Sequence, residues 1–135
     1  MTNTASRHPT ALEVHKASRT LDIRFDDDSR FTLSFELLRV YSPSAEVRGH
    51  GAGQETLQTG KREVGLTALE PVGNYGVRPI FSDGHDSGIF TWDYLYHLAS
   101  NRDALWEDYL RRLEAAGFTR EAGRDAAMGA SANAH

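Results

Sequence analysis

Asp83, His85, Asp86 and Ser87 fall within five consecutive residues of the run F-S-D-G-H-D-S-G at positions 81–88. An imidazole beside two carboxylates is a donor set that suits zinc, iron or manganese. The same groups suit acid–base work, because histidine changes charge near neutral pH. Gly84 and Gly88 bracket the set, and the aromatic and leucine run I-F-T-W-D-Y-L-Y-H-L follows at once. A short turn held between packed elements fixes its side chains more firmly than a free loop does. Asp83 and His85 skip one residue, as in the H-x-D element of non-haem iron sites, and a metal site built on them needs a distant second histidine. His50 is the best placed, followed by His97. Against this stands a plainer reading, in which Asp83 and Gly84 make a turn and His85 bonds to backbone. An adjacent aspartate can also simply orient the imidazole through its ring N–H.

A second constellation is R-G-H-G-A-G-Q, from Arg48 to Gln54. Its glycines would let backbone N–H groups approach an anion, with Arg48 adding charge. It matches neither the phosphate-loop pattern nor the dinucleotide fingerprint, and no alternation of strands and helices surrounds it. A plain glycine loop is the competing description. Ser42, Ser44 and Ser87 do not sit in a G-x-S-x-G elbow, which argues against a serine hydrolase.

The elements that must position these groups are legible as periodicities. Residues 1–10 are polar and read as a flexible N-terminus. Leu12 and Val14, then Leu21, Ile23 and Phe25, then Phe31, Leu33 and Phe35 alternate with polar residues, the mark of half-buried strands. Short turns between them predict an antiparallel meander. The turn at residues 26–29 carries three aspartates, but an EF-hand spreads its ligands over about twelve residues and closes with Glu. Residues 35–41 read as one or two helical turns or a strand end. Residues 42–65 hold five glycines and one proline and read as a long loop, uncommon unless functional or mobile. Two further short strands surround Pro71 and Pro79, which suit edges or bulges. Residues 92–99 read as a helix. Ser100 or Asn101 offers an N-cap to a second helix, whose apolar face carries Leu105, Trp106, Tyr109, Leu110 and Leu113 and whose terminator is Gly117. Residues 119–135 are small and polar and read as a disordered tail. The fold class expected is therefore α+β: one domain over residues 11–118, with a mainly antiparallel sheet of about five short strands and C-terminal helices packed on it.

Composition narrows the function. The chain has 135 residues, a net charge of -4 and a pI near 5.8. That balance argues against nucleic-acid binding, which shows a basic stripe. There is no cysteine. Disulfides, zinc–thiolate sites and cysteine nucleophiles are thereby excluded. The N-terminus has no apolar signal region, and no apolar run approaches the roughly 20 residues of a membrane span. A cytoplasmic location is expected, with no membrane partner.

L-L-R-V-Y-S-P-S-A-E-V-R-G-H at 37–50 and F-S-D-G-H-D-S-G-I-F-T-W-D-Y-L at 81–95 together resemble the small bacterial domain family similar to the N-terminal domain of gamma-butyrobetaine hydroxylase. The resemblance spans roughly residues 12–117. It implies a compact α+β domain, largely uncharacterised when it stands alone. In the hydroxylase this domain holds a structural zinc through three cysteines and one histidine, while catalysis belongs to a separate iron- and 2-oxoglutarate-dependent domain. The resemblance matches His85 with the histidine ligand and Ser42, Ser44 and Val47 with the cysteines, so three of four ligands are missing. A related domain is attached to certain nucleotide-hydrolysing iron–sulfur cluster carriers, which implies an adaptor role near cluster assembly.

The function expected is a non-catalytic accessory domain that binds a protein partner. Its binding surface would comprise Arg48, His50, Asp83, His85, Asp86, Ser87 and Trp92. The alternative is a module that binds zinc or iron through His85 with Asp83 or Asp86 and His50. A third reading makes His85 and Asp83 an acid–base pair in a small enzyme.

Overall fold

The computed structural model describes residues 8–44, 47 and 57–120. β1 (Pro9–His15), β2 (Thr20–Phe25) and β3 (Arg30–Ser34) form an antiparallel meander in that order. The register sets Leu12 against Ile23, Val14 against Leu21, Leu21 against Leu33 and Ile23 against Phe31. Cross-strand partners share a face, so the alternating apolar residues all point one way. Leu21, Ile23, Phe25 and Leu33 are fully buried there. Glu13, Asp22 and Thr32 lie on the other face by the same register. The three aspartates make a turn, as their spacing predicts. Asp28 takes a left-handed φ of 68°, which aspartate tolerates. Asp27 accepts hydrogen bonds from the Ser29 N–H at 3.0 Å and the Tyr96 hydroxyl at 2.7 Å.

The apolar alternation runs on to Phe35, yet the strand stops at Ser34. The Ser34 hydroxyl accepts the Leu37 N–H at 3.0 Å and starts α1 (Phe35–Val40). An N-cap of this kind satisfies one of the donors that a helix start leaves open.

β4 (Leu66–Val72), β5 (Gly76–Phe81) and β6 (Phe90–Thr91) form a second sheet in that order. The α+β class and the antiparallel pairing hold, and among the described residues six short strands lie in two sheets rather than about five in one. The strand missed is β6, whose two residues are too few to show alternation. Pro71 lies on the edge strand β4. Pro79 lies on β5 beyond Gly76 and Val77, the residues that β6 pairs with. Each proline therefore avoids a doubly paired position.

α2 (Trp92–Ser100) starts at Thr91, whose hydroxyl accepts the Tyr94 N–H at 3.2 Å. α3 (Arg102–Ala116) ends at Gly117, whose φ of 80° suits glycine. Asn101 stands at the expected N-cap position, but its amide donates backwards to the His97 carbonyl at 2.8 Å and makes no cap bond to α3.

One main core joins both sheets through α1 and α2, from Leu21 and Phe25 to Phe81, Phe90, Leu95 and Leu98. Tyr96 packs edge-on against Phe25 and Phe31 at 4.9 and 5.9 Å. A small second cluster of Val40, Tyr109 and Leu113 lies under α3. The expected stripe on α3 is buried or half-buried except at Leu110, which is exposed. Among the described residues regular structure begins at Pro9, and Arg120 bonds to the buried Glu36. Residues 1–7 and 121–135, which hold most of the expected flexible ends, lie outside the described residues. Among the described residues no helix is long and apolar enough to cross a membrane.

Gly76 is where β5 and β6 come closest. A Cβ placed there would lie 2.5 Å from the Phe90 carbonyl oxygen, a backbone atom that cannot swing away. Gly76→Ala should therefore cost about 1–3 kcal/mol, read as a lower urea midpoint with an unchanged slope.

Candidate functional site

The turn between β5 and β6 carries the candidate chemistry, and it is tightly closed. The Gly84 N–H donates to the Phe81 carbonyl and the Phe81 N–H to the His85 carbonyl, each at 3.0 Å. Gly84 takes a φ of 91°, which accounts for the glycine. This geometry turns the His85 side chain inward, where it is 7% exposed. Its Nε2 lies 2.9 Å from the Ser42 hydroxyl and 3.4 Å from the Ser44 hydroxyl. Both serines are buried in the segment just after α1. Imidazole and hydroxyl satisfy one another, as buried polar groups must.

Asp83 is engaged on both carboxylate oxygens. Oδ2 receives Arg39 Nε at 2.9 Å and Lys61 Nζ at 2.6 Å, and Oδ1 accepts the His85 N–H at 3.2 Å. Partial burial pushes the Asp83 pKa up. The Lys61 hydrogen bond, the His85 N–H and the charges of Arg39 and Lys61 outweigh it and hold the group at about 2. Asp86 is exposed, and Arg78 of β5 donates to its carbonyl at 3.0 Å and lies 3.4 Å from its carboxylate. Ser87 is exposed. Trp92 is half-buried and donates its indole N–H to the Asn74 carbonyl at 2.7 Å. Arg48 and His50 lie outside the described residues, so the shared His50–His85 site does too.

The structure therefore brings His85 to Ser42 and Ser44 and gives Asp83 to Arg39 and Lys61. Sequence inspection missed Arg39 and Lys61, which sit 44 and 22 residues away from Asp83. No periodicity links such positions. The zinc implied by resemblance does not fit this donor set. Two neutral hydroxyls and the aliphatic Val47 stand where thiolates would be needed, and only His85 is a strong ligand. A groove of about 400 Å³ opens beside Tyr41, Ser42, Tyr94 and Arg112, reaching Ser42 but not His85.

The family whose sequence pattern matches is described as gamma-butyrobetaine hydroxylase-like, N-terminal, over residues 12–96. The chain belongs to this family. Two protein structures solved by NMR in solution are similar to it. One is 54% identical, covering 85% of this chain and 90% of that one, with a TM-score of 0.75. The other is 52% identical, covering 89% and 90%, also at 0.75. A crystal structure from Acidithiobacillus ferrooxidans ATCC 23270, described as a protein with unknown function of the DUF971 family, is 36% identical. It covers 69% of this chain and 93% of that one, with a TM-score of 0.57. No curated protein matches.

Two measurements probe the closed turn. The lowered pKa of Asp83 stabilises the fold fully above the ordinary value of 3.8 and is lost as pH falls towards 2. Asp83→Asn should be less stable than wild type at pH 7 by ~1 kcal/mol after solvent screening, with the gap closing over that acid window in urea unfolding. At Gly88, an added Cβ would lie 2.2 Å from the Ser42 hydroxyl oxygen. Gly88→Ala and Ser42→Ala should each destabilise, and the double variant should recover about 0.5–3 kcal/mol relative to their sum.

Proposed function

We propose that this domain is a non-catalytic accessory module that binds a protein partner at the β5–β6 side of its second sheet. The observation that carries this reading is the fate of the two reactive groups. His85 is buried against two serines, and Asp83 is clamped by two cations. Both hold the turn in shape. What the turn presents outward is Asp86, Ser87 and then Ile89, which is 40% exposed although apolar. Tyr75, 53% exposed, lies at the adjacent strand end, where its carbonyl accepts the Trp92 N–H at 3.1 Å. Apolar side chains with a polar rim are the ordinary make-up of a recognition surface.

The relation to domains attached to iron–sulfur cluster carriers makes cluster-assembly proteins the first partners to test. Without cysteine this chain would serve there as an adaptor. The alternative metal module on His85 draws no support from Asp83 or Asp86, whose carboxylates face Lys61, Arg39 and Arg78.

Affinity capture from the native host with wild type and with Ile89→Asp and Tyr75→Ala tests the surface. Both changes lie on exposed side chains, so the melting temperature should hold while the captured partner is lost. Identical recoveries from all three proteins would count against this surface.

A further inference from the structure

We propose that Glu13, His15 and Asp22, on the outward face of the first sheet, bind one divalent transition-metal ion of the zinc class. The strand register sets Glu13 opposite Asp22, and alternation along β1 returns His15 to the same face two residues on. His15 Nε2 lies 3.3 Å from Glu13 Oε1 and 3.1 Å from Asp22 Oδ2. The three donor atoms all fall within 4.8 Å of one another. Zinc bonds of about 2.0–2.1 Å in a tetrahedron require ligand atoms roughly 3.3 Å apart. Two of the three edges already match that spacing, so an ion fits with small side-chain movements.

One imidazole and two carboxylates are donors that zinc accepts, and three protein ligands leave a fourth position for water. His15 and Asp22 are 40% and 44% exposed, so an ion can enter from solvent. Thr32, on β3, donates its hydroxyl to Asp22 Oδ1 at 2.7 Å and leaves Oδ2 towards His15. Such a partner behind a ligand fixes its direction. Three paired strands hold the four side chains, a firmer base than a loop. Arg30, paired with Arg24 next along the sheet, is the opposing charge near Asp22. Two carboxylates facing a dication outweigh it. Among the described residues, no other histidine and carboxylate group of three converges in this way. The site shares no residue with the proposed partner surface and stands apart from that reading.

Zinc chloride titrated into the full chain, followed by calorimetry and by amide and imidazole NMR, tests the site. One equivalent should bind, with shifts centred on Glu13, His15 and Asp22. His15→Gln and Asp22→Asn should each weaken binding at least tenfold, and Thr32→Val by about tenfold through lost orientation. Unchanged amide spectra elsewhere would show that these exposed variants keep the fold. Zinc affinity that survives His15→Gln, shifts centred on another histidine, or no saturable binding by wild type would overturn the proposal.

Discussion

A six-residue helix with no exposed face cannot carry two charged side chains unless each is met. All six residues of α1 are buried, Glu36 and Arg39 included. Glu36 receives Arg120 on both carboxylate oxygens, at 2.7 and 3.1 Å, while the guanidinium lies 5.0 Å above the Trp106 ring. Arg39 donates to Asp83 and to Gln58, each at 2.9 Å. Removing Arg120 would strand the buried carboxylate of Glu36 and cost about 3–5 kcal/mol. The short helix thereby ties the last described residue, the segment before β4 and the β5–β6 turn to one place.

The same hub explains how the turn's reactive groups are engaged. Ser42 and Ser44 follow α1 directly and meet the imidazole that the turn delivers. Arg39, within α1, meets the aspartate of that turn. Two separate crosslinks therefore join the same two chain segments. Here the turn's acceptors are aimed at α1 and at the segment behind it. His85 thus has an architectural role in this chain, joined through the hydroxyls of Ser42 and Ser44.

The elements were legible wherever a face is buried over several residues. Leu21, Ile23 and Phe25 announce β2 because the sheet has one wet side, and Tyr109 and Leu113 announce α3 by their spacing. β6 was not legible, since Phe90 and Thr91 offer no period. The end of β3 was hidden because Phe35 continues the strand alternation while Ser34 has already begun a helix. At the candidate site, the turn residues could be singled out by type and spacing. Their orientation could not, because the partners Arg39, Ser42 and Lys61 are distant in sequence and carry no mark of pairing. Glu13, His15 and Asp22 were missed for a related reason. Their polar identities fit the wet side of a strand pattern, and their convergence depends on register.

Asn101 spends its side chain on the end of α2 and leaves the start of α3 without a cap. Leu105 and Trp106 hold α3 against the main core, and Tyr109 and Leu113 rest on a second cluster with Val40 that Trp106 and Tyr41 join to the first. Segments with few apolar contacts open locally at a lower free energy than the whole fold does. The uncapped first turn of α3, whose residues 102–104 are all exposed, is the natural unit of such opening. Its amides would exchange with solvent well before those of β2, and the molecule would breathe at this end while both sheets stay closed.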